Sequence, residues 1–154
     1  MTDKDARKAE PGGPPPVRMV FSFVVWSDTG MPTVEMLGRV EAAMGCTFVR
    51  GKYAYEPAWR ADLMGMRIYF LEWPGVRFKP AFEMHGAIAD MRFRERRQGK
   101  TPELVSQDIS QGVADLLSAL GAGEWRVPTR AELLADAGFD PSLFDGQGGE
   151  SGED

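Results

Sequence analysis

The sequence predicts an α+β fold: an antiparallel sheet of about four to five strands with two to three helices packed mainly on one face. Three observations carry this expectation. A β-branched and aromatic run opens the body of the chain, short strand-like runs separated by turns fill its middle, and two stretches with helical apolar spacing close it. Sequential strands joined by short turns pair antiparallel, which leaves the helices to gather on a face. The pattern does not encode the order of the strands.

The opening run, Met19-Val20-Phe21-Ser22-Phe23-Val24-Val25-Trp26, shows no alternation, as expected of a strand buried on both faces. Ser27 to Gly30 punctuates its end. The spacing of Val34, Leu37, Val40 and Met44 predicts a helix over 33–44, with Thr33 as N-cap and Gly45 as a left-handed stop. Cys46 to Val49 reads as a short strand, extending toward Tyr55 and ended by Pro57. Met66 to Trp73 reads as a second strand, and Pro74-Gly75 as a turn into a third at Val76–Lys79. The run from Ala81 to Phe93 places Phe82, Met84 and Ile88 on one side and Glu83 and His85 on the other, with Gly86 at a bulge.

Thr101-Pro102-Glu103 has the order of cap, first-turn proline and early acid that opens a helix, and the apolar stripe from Leu104 through Leu120 continues it to Gly121. A last helix begins at Thr129, where Glu132 completes a capping box, and it closes at Gly138.

The organisation expected from these elements is a disordered N-terminal segment over 1–16, a single α+β domain over 17–144 and a disordered acidic tail over 145–154. Both ends are too poor in apolar residues to offset the entropy of ordering. A chain of 154 residues buries roughly two-thirds of its unfolded surface, enough for a core without staples. The net charge of −5 comes from the C-terminal end. Without Asp140, Asp145, Glu150, Glu153 and Asp154 the chain holds 18 acidic and 18 basic residues.

The chain has one histidine and one cysteine. A zinc cluster of several Cys and His therefore cannot be assembled within it, an internal disulfide is impossible, and a Cys–His catalytic pair would have to join His85 to Cys46. No nucleophile elbow, glycine-rich oxyanion loop or phosphate loop accompanies them. Neither a metal nor a cofactor is expected. No apolar run approaches the roughly 20 residues of a membrane helix, and the charged start lacks the order of a signal peptide, so a cytoplasmic protein with no membrane partner is expected.

Three sets of residues compete for function. The segment 50–60 combines Arg50, Tyr53, Tyr55, Trp59 and Arg60 in a stretch with little core periodicity, the composition of protein-interface hot spots. The acids Asp28, Glu72 and Glu83, with His85, would suit a small-ligand-binding protein or a hydrolase-like enzyme if they converged on one pocket. Arg92, Arg94, Arg96 and Arg97 would suit a nucleic-acid-binding module, although a neutral body and an acidic tail oppose a polyanion. The first set is preferred. The expectation is a non-enzymatic protein-binding domain whose partner is another protein, of the kind represented by bacterial inhibitors such as toxin-neutralising immunity proteins. Size and make-up carry that class, not a motif. An exposed sheet edge would also allow a homo-oligomer.

Overall fold

A computed structural model of the chain describes residues 17–88 and 103–139. The expected segments 1–16 and 145–154 and the arginine run 92–97 lie outside the described residues. Six strands, β1 (Val17–Ser27), β2 (Val49–Tyr53), β3 (Glu56–Leu63), β4 (Met66–Glu72), β5 (Phe82–Ile88) and β6 (Glu103–Asp108), form one sheet in the order β2-β3-β4-β5-β1-β6. All neighbours pair antiparallel except β1 and β6, which are parallel. With helices α1 (Thr33–Met44), α2 (Ser110–Ala119) and α3 (Arg130–Asp136), this is the α+β class, with one strand more than expected.

The both-face burial expected of β1 holds only at its end: Trp26 and Ser27 are buried, Val24 is half-buried, and Val17 and Met19 are exposed. Phe23 and Val25 face α1 and α2, where Met36, Leu37, Val40, Val113, Ala114 and Leu117 complete the core. Trp26, on the opposite face, is buried beneath the end of the sheet. Helix α1 has the predicted bounds, and Gly45 closes it at φ 73. Two details differ. Pro32 takes the N-cap position, because the Thr33 hydroxyl donates instead to the Glu72 carboxylate. Val34, expected on the core stripe, is exposed, and Met36 is buried in its stead.

The helix expected from Thr101 begins only at Ser110. Glu103 to Asp108 run as a strand beside β1, in register from Val17↔Glu103 to Ser22↔Asp108. Pairing with an open edge outweighs a local helix signal. Ser110 makes the change of direction: its hydroxyl accepts the Val24 N–H at 2.9 Å while Asp108 accepts the Ser110 N–H at 2.9 Å. The chain returns to β1 past α2, where Trp26 and Arg126 exchange main-chain hydrogen bonds of 2.8 and 2.9 Å.

Three other expectations change. Val76–Lys79 forms turns rather than a strand, since Trp73 and Val76 carbonyls accept from Val76 and Lys79. Pro57 does not end a strand but sits second in β3, opposite Lys52. Gly86 pairs in regular register with Phe23 and Ile68, so no bulge is present there. The predicted capping box of α3 is formed, with Thr129 accepting from the Glu132 N–H and Glu132 accepting from the Thr129 N–H.

Candidate binding face

Strand parity divides the interface candidates between the two faces of the sheet. One transverse row runs Arg50–Trp59–Phe70–Met84–Val25 across five strands. It lies on the helix-covered face, because Phe70, Met84 and Val25 belong to the core. Trp59 packs edge-on against Phe70 with centroids 6.0 Å apart, and the Arg50 guanidinium stacks 4.5 Å over the Trp59 ring. Trp59 therefore serves the core and Arg50 shields it.

The adjacent row, Val49–Arg60–Tyr69–His85–Val24, lies on the opposite face. None of the three helices covers its centre; α3 reaches only the end near Trp26, where Asp136 meets Lys79 at 2.7 Å. Tyr53 joins this face from the edge hairpin, with ring centroids 4.9 Å from Tyr69 and 4.5 Å from His85. Three strand spacings separate β2 from β5, about 14 Å in a flat sheet. The contact with His85 thus requires the hairpin to curl over this face, making it concave and aromatic. Tyr69, which sequence reading did not single out, is central to it. Its signal was its place opposite His85, visible only once the strand register was known.

At the tip of that hairpin Ala54 and Tyr55 both have positive φ, 51 and 71. The strand twist demands this of a two-residue turn, and Asn-Gly is the residue pair that meets it at least strain. Here a tyrosine occupies the second position, 96% exposed. Arg60, half-buried, lies at the other end of the hairpin opposite Val49, and Asp62 and Arg67 form an ion pair at 3.0 Å further along the same face.

The acids and the histidine of the second candidate set do not share a pocket. Glu72 continues the helix-side parity of Ile68 and Phe70 and meets Thr33, whereas Glu83 and His85 point to the open face. Arg67 binds Asp62 at 3.0 Å, and the Arg77 guanidinium lies 4.7 Å over the Phe78 ring. Glu83 accepts from the Trp73 indole at 2.8 Å; burial raises its pKa despite that bond and despite Lys79 3.9 Å away. Asp28 accepts from the Ala81 N–H and pairs with Arg126 at 3.3 Å. His85 is held below its ordinary pKa of 6.5, first by burial and then by the charge of Lys79. Burial, and then Glu41, push the Cys46 thiol up, the opposite of what a reactive thiolate needs.

Among the described residues no group of three or more His, Cys, Asp or Glu side chains could hold a metal ion, and no helix is long and apolar enough to cross a membrane. Comparison with known proteins finds no family model, no curated protein and no solved structure that matches this chain.

Proposed function

We propose that this chain is a non-enzymatic protein-binding domain, acting in the bacterial cytoplasm as an inhibitor of the immunity-protein kind, and that it docks its partner on the concave sheet face and the β2–β3 hairpin. The observation that carries the reading is Tyr55. A large aromatic side chain stands almost fully exposed on a backbone conformation that a glycine would adopt without strain. No packing contact among the described residues calls for it. Strain kept where packing gives no return is a mark of a functional position, and tyrosine is among the residues that dominate binding energy at interfaces.

Tyr53, Tyr69 and Arg60 extend the surface inward from Tyr55, with half-buried aromatic rings at the centre and the Asp62–Arg67 pair toward the rim. This resembles the arrangement of protein interfaces, in which rigid rings anchor and charged groups surround them. Of the five residues singled out from the sequence, Tyr53, Tyr55 and Arg60 belong to this proposed surface, while Trp59 and Arg50 support the hairpin from the other side. The competing ligand-site reading needs Asp28, Glu72, Glu83 and His85 together, and their separation weighs against it. The nucleic-acid reading rests on Arg92–Arg97, outside the described residues.

The test is affinity purification of the tagged protein from its native host beside the variant Tyr55→Gly. The wild type should retain one stoichiometric partner. The variant should retain it at least about fivefold less well, the equivalent of a hot spot above about 1 kcal/mol, while melting no lower than the wild type. Equal recovery by both, or no partner under gentle lysis, removes the reading.

A further inference from the structure

The end of β1, the loop after β4 and helix α3 border an open cleft of about 390 Å3 to which the Tyr55 hairpin contributes no residue. Its volume lies within the range of about 300–1,000 Å3 typical of sites for small organic molecules. Trp26, Phe78, Pro80 and Ala135 give it an apolar lining, and Asp28 and Arg126 stand at its polar side.

Two features of the cleft are unexplained by folding alone. Trp26 is only 2% exposed, yet its indole Nε1–H meets no acceptor among the described residues. A buried donor in that state carries its full desolvation cost, and such groups are rare enough in folded proteins to need a reason. The main chain of Trp26 is fixed by its paired hydrogen bonds to Arg126. Phe78, which also lines the cleft, holds a left-handed backbone at φ 67 and is 49% exposed, where burying the ring would be the ordinary outcome.

The charges around the cleft restrict what it can accept. Arg126 is engaged by Glu132 at 2.6 Å and by Asp28 at 3.3 Å, and Lys79 by Asp136 at 2.7 Å and Glu83 at 3.9 Å. Four carboxylates against two committed cations repel an anion. A cation would be drawn to the carboxylates and to the indole face, where Arg126 already lies. An ammonium, however, offers no acceptor to the indole N–H, the group left without a partner among the described residues.

We propose that this cleft binds a small, uncharged, ring-bearing molecule whose carbonyl or amide oxygen accepts the Trp26 indole N–H. The ring lies against Trp26, Pro80 and Ala135. Because the indole nitrogen is closed off from solvent, the molecule gets in by displacing Phe78, the strained and half-exposed wall. The site is independent of the docking face, since neither Tyr53, Tyr55 nor Tyr69 lines it.

The experiment is a titration of the full 15N-labelled chain with benzamide, following the indole N–H signals of its four tryptophans; Trp26 is assigned by elimination with Trp59→Phe, Trp73→Phe and Trp125→Phe. Benzamide should shift the Trp26 signal saturably and leave that of Trp59 in place. Benzoate, repelled by the carboxylates, should bind roughly tenfold more weakly. Benzylamine, which has no acceptor oxygen, should not give the Trp26 N–H the hydrogen-bond shift that benzamide gives. Ala131→Leu, which adds bulk at an exposed position lining the cleft, should abolish the benzamide shift without lowering the melting temperature. Overturning results are an unmoved Trp26 signal, equal shifts from all three probes, or a benzamide shift that persists in Ala131→Leu. Rapid solvent exchange of the Trp26 indole N–H in the free protein would also overturn it, because a water would then satisfy that donor.

Discussion

A Cβ on Gly86 would lie 2.7 Å from Cε2 of Phe23, so the Phe23 ring occupies the space any side chain at position 86 would need. The two residues are direct partners across β1 and β5, and Ile68 on the other side leaves only 3.1 Å. The centre of the core is therefore built around an absent side chain. Gly86→Ala should destabilise the protein by about 1–3 kcal/mol through overpacking. Phe23→Leu in the same chain should recover part of that loss. A denaturant titration of the two single variants and the double variant measures the coupling; simple additivity would mean the two do not contend for the same space.

The β2–β3 turn makes the opposite prediction. Replacing Ala54 and Tyr55 by Asn and Gly gives the turn the residues its positive φ values favour. Stability should rise by about 1 kcal/mol, read as a higher denaturant midpoint with an unchanged slope. A fall would mean that Tyr55 contributes contacts to the folded state.

Helix α3 depends on its cap. Thr129→Ala removes one half of the capping box and should cost about 1 kcal/mol. Lys79 pairs with Asp136 near the end of this helix, so fraying of α3 should also expose the end of the sheet around Glu83. Faster amide exchange over 130–136 than over 110–119 in the variant would confirm a local effect.

His85 should make stability fall on mild acidification. Its folded pKa is depressed below 6.5 by burial and by Lys79, so between the folded and unfolded values the unfolded chain binds more protons. That contribution is complete above about pH 6.5 and is lost as the pH falls through the folded value. Glu83 acts in the opposite sense, because its raised pKa costs stability as pH rises through it. The histidine is isolated by comparison with His85→Gln, which should lose less melting temperature than the wild type between pH about 7.5 and about 5.5. Equal losses would place the titration elsewhere.

Local chemistry made several elements legible before the structure. Gly45 ends α1 because only a residue free to adopt positive φ closes a helix so, and Thr129 with Glu132 marks the start of α3 by hydrogen bonds confined to four residues. Strand β6 was hidden for the reverse reason. Thr101-Pro102-Glu103 carries a helix-start signal, and what makes Glu103–Asp108 a strand is pairing with β1 some 86 positions earlier, from Val17↔Glu103 onward. The site was half legible. Aromatic and arginine content drew attention to 50–60, but composition takes no account of parity, which sends Trp59 to the core and its neighbour Arg60 to the open face. Tyr69 carries no such signal, because its neighbours in the chain are core residues and its aromatic surroundings are made by Tyr53 and His85 from other strands.

Side-chain oxidation of the protein, free and bound to its co-purified partner, tests the docking face most directly. Tyr55 and Tyr53 should become protected in the complex, while Val34, Leu116 and Leu120, exposed on the helices of the other side, should oxidise as before. Protection of those three with Tyr55 unchanged would place the partner on the helical layer and contradict the assignment of the curled sheet face.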